Sequence, residues 1–229
     1  MSAQLPLDLR WPAHQRFAGF VANDGGLALE LVRAVAIDVE APWVFLAGAS
    51  GSGKTHLLIA ACAAADEAGR SAQYVSIPSL GESRVEVIRA FGGCDVLALD
   101  DIDALAGDRA AEHALFDLYN RSRADGATLI FAASRPPAAL ALDLPDLASR
   151  LSICAQASVR QLDEADRRAV VRRYAAGRGI LLDDPVLDWL FTHRARDLAT
   201  LIALLDRIDR ATLAAQRRVT IPFLRTLVE

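Results

Sequence analysis

Nine residues, Gly48-Ala-Ser50-Gly51-Ser52-Gly53-Lys54-Thr55-His56, bring together what is needed to hold phosphate. The spacing Gly48-x-x-x-x-Gly53-Lys54-Thr55 is a complete phosphate-binding loop. Its glycines permit backbone angles that a Cβ resists, so successive N–H groups can turn inward toward anionic oxygens. A helix opening near Lys54 adds its positive end. Lys54 is the only lysine in the chain, and the remaining basic residues are all arginine. An ammonium on a flexible stem reaches the outer phosphates as a point charge, which a planar guanidinium does not replace. The loop therefore predicts nucleotide binding, with Gly48, Ser50, Gly51, Ser52, Gly53, Lys54, Thr55 and His56 as contact residues.

A second group of chemically competent residues stands some 45 positions downstream. Val96-Leu-Ala-Leu is an apolar run that ends in Asp100 and Asp101. With a phosphate loop in the same chain, the first acid is expected to hold Mg2+ indirectly while Thr55 offers an oxygen ligand. Asp101 can then orient or activate a water. Two solvated aspartates at a turn are the bland alternative, and the pairing with the loop argues against it.

These groups need elements to position them. Trp43–Ala47 reads as a short buried strand before the loop, and His56–Ala65 as a helix after it. Further strands are expected at 73–77, 95–99, 128–133 and 158–162, and helices at 27–39 and 110–123. Alternating strands and helices predict an α/β fold with a parallel five-stranded sheet flanked by helices. Ligands in such sheets sit beyond the carboxyl ends of the strands, where Gly48, Asp100 and Ser134 would converge. After Leu162 the pattern is purely helical. Asp163 is placed to cap a helix through about residue 176, and Asp184-Pro185 opens another. Leu198, Leu201, Ile202, Leu205 and Ile208 mark a third by their spacing, and Thr220-Ile-Pro222 begins a fourth. The expected organisation is an arm over residues 1–15, a nucleotide-binding α/β domain over 16–162 and a small all-α lid over 163–229.

Composition narrows the class. The chain has 229 residues, 53% of them hydrophobic, enough for a core in each part. No stretch has the length and apolarity of a membrane span, and no secretory signal is visible at the N-terminus. Three scattered cysteines fit neither a disulfide framework nor a metal site, and the four histidines show no ligand spacing. The formal charge of −4 lacks the strong basic excess of a dedicated DNA-binding domain. A cytoplasmic location without a membrane partner is expected.

Further segments carry a resemblance to a known family. Arg16-Phe-Ala-Gly-Phe20-Val21-Ala-Asn-Asp24, Phe131-Ala-Ala-Ser134-Arg-Pro-Pro137, Asp146-Leu-Ala-Ser-Arg150-Leu151 and Arg194-Ala-Arg196-Asp197-Leu198 accompany the loop. On these the chain resembles the AAA+ ATPases of the bacterial replication-initiator group, and more narrowly the regulatory inactivators of the initiator DnaA. The resemblance spans nearly the whole length. It implies that Phe20 and Val21 wall the adenine, that Ser134 stands at the sensor-1 position, and that Arg196 of the lid reaches the phosphates. It implies that Arg150 is an arginine finger, facing a neighbouring subunit's nucleotide. The family usually has Asp or Asn where Ser134 stands, a departure that weakens the case for hydrolysis in this chain. Gln4-Leu5-Pro6-Leu7-Asp8-Leu9 resembles the hexapeptide that docks on the replicase sliding clamp, with Gln4, Leu5, Leu7 and Leu9 as its contacts. Burial of each leucine contributes ~1.5–3 kcal/mol against the ordering of the arm, so a modest, roughly micromolar affinity is expected.

The implied function is regulatory. ADP (or ATP) with Mg2+ would be held as a structural ligand, the ADP preference coming from the resemblance alone. Arg150 would act in trans on ATP bound to DnaA, and the DNA-loaded clamp would supply the timing and the nucleoid association. The initiator continues beyond its lid into a DNA-reading domain, whereas this sequence ends at Glu229, so contact with DNA is expected only through the clamp. Two alternatives remain at this stage. One is a stand-alone AAA+ motor of helicase-loader or clamp-loader type, since Lys54, Thr55, Asp100 and Asp101 are all present. The other is a small-molecule phosphotransferase, for which no acceptor pocket suggests itself. The oligomeric state stays open, a homodimer hiding Arg150 or the arm included.

Overall fold

The computed structural model describes residues 11–12, 14–22, 26–193, 198–215 and 220–228. The chain divides into two compact units, Met1–Gln161 and Leu162–Glu229.

The first unit is built on five parallel strands: β1 (Val44–Ala47), β2 (Ala72–Ser76), β3 (Val96–Asp100), β4 (Thr128–Ala133) and β5 (Ala155–Ser158). Their spatial order is β2-β3-β4-β1-β5. The helices are α1 (Leu27–Ile37), α2 (Lys54–Glu67), α3 (Arg84–Ala90), α4 (Arg109–Ala124) and α5 (Pro145–Ile153). Strands β1, β3 and β4 are buried along their whole length because helices cover both sheet faces. Alternate side chains enter two separate cores. Val44, Leu46, Val96, Ala98, Ile130 and Ala132 pack with α1 and α2. Phe45, Leu97, Leu99, Leu129 and Phe131 pack with α3, α4 and α5. Each Val, Leu, Ile or Phe side chain among them contributes about 1.5–3 kcal/mol by leaving water. The register Val44↔Ile130, Ala98↔Ile130 sets the ends of β3, β4 and β1 side by side.

Several boundaries differ from the sequence reading. The fifth strand is 155–158, not 158–162. It pairs with β1 from Val44↔Ala155 to Ala47↔Ser158, and Val159 N–H closes the ladder on the Ala47 carbonyl. Beyond Ala47 the chain turns into the phosphate loop, so nothing remains for residues 160–162 to pair with. The helix α2 begins at Lys54 and runs to Glu67, longer at both ends than the apolar run suggests. Asp100 closes β3 rather than following it. The short helices α3 and α5 were not anticipated. Pro145 starts α5, as suits its fixed φ and missing N–H. No side chain caps α5 locally. Instead the buried carboxylate of Glu112, on α4, accepts the N–H groups of Asp143 and Leu144 at 3.1 and 2.8 Å.

The second unit holds α6 (Glu164–Ala176), α7 (Asp184–His193), α8 (Leu198–Ala215) and α9 (Ile221–Val228). Asp163 caps α6 by accepting the Asp166 N–H at 2.8 Å. Val171, Leu187, Leu190, Leu201, Leu205, Ile208 and Leu224 form its own core. Tyr174 donates to Asp206, and the Arg178 guanidinium lies 3.7 Å from the Tyr174 ring centre while pairing with Asp206. No described helix is long and apolar enough to cross a membrane.

Candidate nucleotide-binding site

The phosphate loop leaves β1 at Gly48, whose N–H donates to the Ala133 carbonyl of β4. A side chain at Gly48 is sterically barred. Its Cβ would lie 2.3 Å from the Val159 carbonyl oxygen and 2.7 Å from Ser52 Oγ. Gly53, at φ +106°, is the residue before α2, and a Cβ there would stand 2.9 Å from the Phe20 ring. With glycine in this place α2 has no side-chain cap, so its first-turn N–H groups stay available for an anion. The Ser50 carbonyl accepts from the Gln161 side chain at 2.6 Å, fixing the outer limb of the loop.

Charge is concentrated beneath the loop. Lys54 is buried, and its ammonium donates to the Gly48 and Ala49 carbonyls at 2.6 and 3.2 Å. Ser52 Oγ is buried with no hydrogen-bond partner. An orphaned hydroxyl inside a cradle that admits no Cβ fits a phosphate oxygen, because an unpartnered buried polar atom is unfavourable until something meets it. Thr55 Oγ1 donates to Asp100 Oδ2 at 2.5 Å, so these two residues, 45 positions apart, form one contact. Asp100 is 1% exposed and also accepts the Asp101 N–H on Oδ1 at 3.0 Å. Among the described residues no three His, Cys, Asp or Glu side chains gather to hold a metal alone. A Mg2+ ion drawing on Thr55, Asp100, water and phosphate oxygens suits such a sparse set.

Asp101 adopts left-handed backbone angles, φ 53° and ψ 45°, alone among the described non-glycine residues. Strain of this kind costs about 1–3 kcal/mol and clusters at functional sites. Burial and the neighbouring Asp100 raise the Asp101 carboxyl above the usual range; Lys54 partly opposes them. Ser134 lies at the end of β4, exposed, with both its N–H and its hydroxyl donated to Asp103 at 3.0 and 3.1 Å. Asp103 was not singled out in the sequence. Its only signal there is a third acid two residues past Asp101.

The segment before α1 is tied to α2. The Trp11 indole donates to Asp66, Arg16 pairs with Glu67 at 3.5 Å, and the His56 ring meets the Arg16 carbonyl at 2.9 Å. Burial holds the His56 pKa below its ordinary value. Phe20 packs edge-on against His56 with ring centres 5.6 Å apart, directly over Gly53. Val21 is half-buried beside it. The structure thus brings Phe20, the loop, Thr55, Asp100, Asp101 and Ser134 to one end of the sheet.

Arg150 stands elsewhere, on the outer face of α5. Leu147 and Leu151 anchor the inner face in the core, and Arg150 is exposed. Among the described residues its guanidinium forms no hydrogen bond or ion pair. Arg196 and the segment with Gln4, Leu5, Leu7 and Leu9 lie outside the described residues. Besides Asp103, sequence reading missed Tyr74, whose hydroxyl donates to Asp100 Oδ2 at 3.0 Å. Burial, and the Asp100 charge after it, raise the Tyr74 pKa, so the phenol keeps its proton.

Comparison with known proteins agrees with this architecture. Residues 13–158 match the family described as the bacterial DnaA ATPase domain, and residues 163–228 match the Hda lid domain. Domain III of the Thermotoga maritima replication initiation protein DnaA has a similar structure, with a TM-score of 0.75 and 20% identity, over 96% of this chain and 97% of that one. AMPPCP-bound DnaA from Aquifex aeolicus is similar at a TM-score of 0.68 and 23% identity, over 90% of this chain and 69% of that one. The Thermotoga maritima RuvB Holliday junction branch migration motor follows at 0.56 and 19%, over 93% and 72%. At these identities the structural likeness speaks for the fold. The family match covers well over half of the chain, and the chain therefore belongs to the bacterial DnaA ATPase-domain family, as an Hda/DnaA-related AAA+ protein.

Proposed function

We propose that this protein restrains replication initiation by stimulating hydrolysis of ATP bound to DnaA, lending Arg150 to that partner's nucleotide. The observation that carries the proposal is Arg150 itself. It is held outward on a helix whose other face is locked into the core, and apart from a charge interaction with Tyr119 its guanidinium forms no hydrogen bond or ion pair among the described residues. A guanidinium so presented is ready to meet a phosphoryl group on another molecule, where it stabilises the charge that develops during transfer. The Hda-type lid joined to a DnaA-type ATPase unit supports DnaA as that other molecule.

The chain's own nucleotide, ADP with Mg2+, is held rather than consumed. Lys54, Ser52 and the glycines of the loop would take its phosphates, Thr55 and Asp100 the cation, Phe20 and Val21 the base, and Arg196 the phosphates from the lid. The bound cation offsets phosphate charge. The engagement of Ser134 with Asp103 supports weak intrinsic turnover, since its hydroxyl proton is already committed. The arm with Gln4, Leu5, Leu7 and Leu9 docks on the sliding clamp, which brings the cytoplasmic protein to DNA only where a clamp is loaded. A second reading, a stand-alone ATPase motor, is favoured by the preassembled Thr55–Asp100 contact and the strained Asp101 beside it.

One assay separates the two. Hydrolysis of DnaA-bound ATP is followed with this protein, ADP and clamp loaded on DNA, beside Arg150→Ala and a form lacking residues 1–9. Loss of stimulation in both is expected, by about 10³-fold or more for Arg150→Ala. Unchanged hydrolysis on adding the unaltered protein would overturn the regulatory reading. Steady turnover by the pure protein at ~1 s⁻¹ or faster would establish the motor.

A further inference from the structure

Tyr74 lies on β2, the edge strand beyond β3, in register with Ala98. Its ring packs partly buried against the core shared by α1 and α2, which leaves the hydroxyl directed along the sheet toward Asp100. Three donors, from α2, from β2 and from the turn that follows β3, fix the Asp100 carboxylate. Oδ2 accepts Thr55 Oγ1 from α2 at 2.5 Å and the Tyr74 hydroxyl from β2 at 3.0 Å, and Oδ1 accepts the Asp101 N–H at 3.0 Å. Two of these donors belong to residues already placed in the cation and water machinery. The third does not.

We infer that Tyr74 is a positioning residue for the Mg2+-nucleotide site, holding the Asp100 carboxylate in the plane that it shares with Thr55. The inference rests on the nucleotide-binding reading above. The terminal torsion of an aspartate is broad, so one hydroxyl donor does not fix the carboxylate plane. A second donor on the same oxygen, reaching it from the neighbouring strand, and a third on the other oxygen do fix it. The side chain is also almost wholly removed from water, where buried polar oxygens need hydrogen-bond donors. Groups in this supporting role typically alter metal affinity by about 10–100-fold when removed.

Tyr74→Phe keeps the ring and deletes the donor. The test is titration of a fluorescent ADP analogue into the unaltered protein and the variant, once with Mg2+ and once with EDTA. Melting of both proteins without nucleotide is recorded alongside. The expected result is an affinity about tenfold weaker in Mg2+, unchanged in EDTA, with a higher Mg2+ concentration needed for half-maximal effect. A packing role would weaken both titrations alike or lower the melting temperature without altering their ratio, and either outcome overturns the inference. If the unaltered protein bound the analogue equally with and without Mg2+, this inference would fail while nucleotide binding stood. If it bound no nucleotide at all, the nucleotide reading would fall first and Tyr74 with it.

Discussion

The two ends of the one parallel sheet handle polar groups in opposite ways. At the amino end, below β3 and β4, Arg70 donates to the Val35, Ala36 and Asp95 carbonyls and to Thr128 Oγ1, at 3.1, 2.9, 3.4 and 2.9 Å. Asp95 accepts both the N–H and the hydroxyl of Ser71 at 2.7 Å. Apart from Arg70 Nε, which is buried without a partner, these groups complete one another within the chain. At the carboxyl end the lysine rests on loop carbonyls, Ser52 Oγ has no partner, and Asp101 is strained with a raised carboxyl pKa. Both ends are built from the same strands. The difference teaches that the amino end is finished by folding alone, and the carboxyl end is finished by a ligand.

That contrast is broken most forcefully at Arg70. Arg70→Ala takes the guanidinium donor from the Val35 and Ala36 carbonyls, while the Asp95 carbonyl keeps the Thr128 N–H, and each such loss costs about 1–3 kcal/mol. A destabilisation of roughly 3 kcal/mol is expected in urea unfolding, with ADP affinity unchanged at temperatures where the variant is folded. An equal loss of affinity would show that the two ends are not independent. Lys54→Ala should do the reverse. It deletes a charge-assisted contact to phosphate worth about 1.5–3 kcal/mol, so affinity should fall on the order of 10–100-fold. Stability without nucleotide should hardly change, because the carbonyls it leaves belong to a loop at the surface. Calorimetry with ADP and a melt without it check both halves. A marked loss of stability would mean that Lys54 is part of the fold rather than held in wait.

The carboxyl end was far more legible in the sequence than the rest, for a physical reason. A phosphate cradle is local, so its glycines, Lys54 and Thr55 lie within eight consecutive residues. An apolar run ending in acids is local too, and it locates Asp100 even though the strand boundary shifts by one. Tyr74 and Asp103 are not legible in this way. Tyr74 matters only once β2 is known to lie next to β3, and Asp103 only once the turn after β3 is known to approach the end of β4. Glu112 has the look of a surface acid on an amphipathic helix. It is buried because two turns, at Gly107 and at Asp143–Leu144, bring their N–H groups to it. The fifth strand was expected three residues late because Ala-Gln-Ala-Ser has no β-branched or aromatic residue, and pairing with β1 alone makes it a strand. The helix α5 escaped because Leu147 and Leu151 are one apolar pair, too short a pattern to declare a period.

The smallest expected effect sharpens the same comparison from the finished end. Cys94 precedes β3, Cys154 precedes β5, and Cys62 on α2 donates toward the Gln73 carbonyl near the start of β2. All three thiols are buried, and burial pushes Cys62 and Cys154 up to about 12 from an ordinary 9.0, with Cys94 raised as well. The fold therefore favours the protonated thiols. Their contribution to stability is fully present below pH 9 and is lost as pH climbs from there toward 12, where the folded chain also ionises. At pH 8.5 an alkylating reagent should find almost no thiolate in the native protein and a large fraction in urea. Cys94 should react first, since it lines a cavity of about 250 Å³ with Gly92, Gly93, Asp95 and Gly126. ADP should leave all three rates unchanged, because its site is at the opposite end of the strands. If ADP slowed the labelling of Cys94, the amino end would be opening in concert with the ligand end, and the two could no longer be regarded as separately completed.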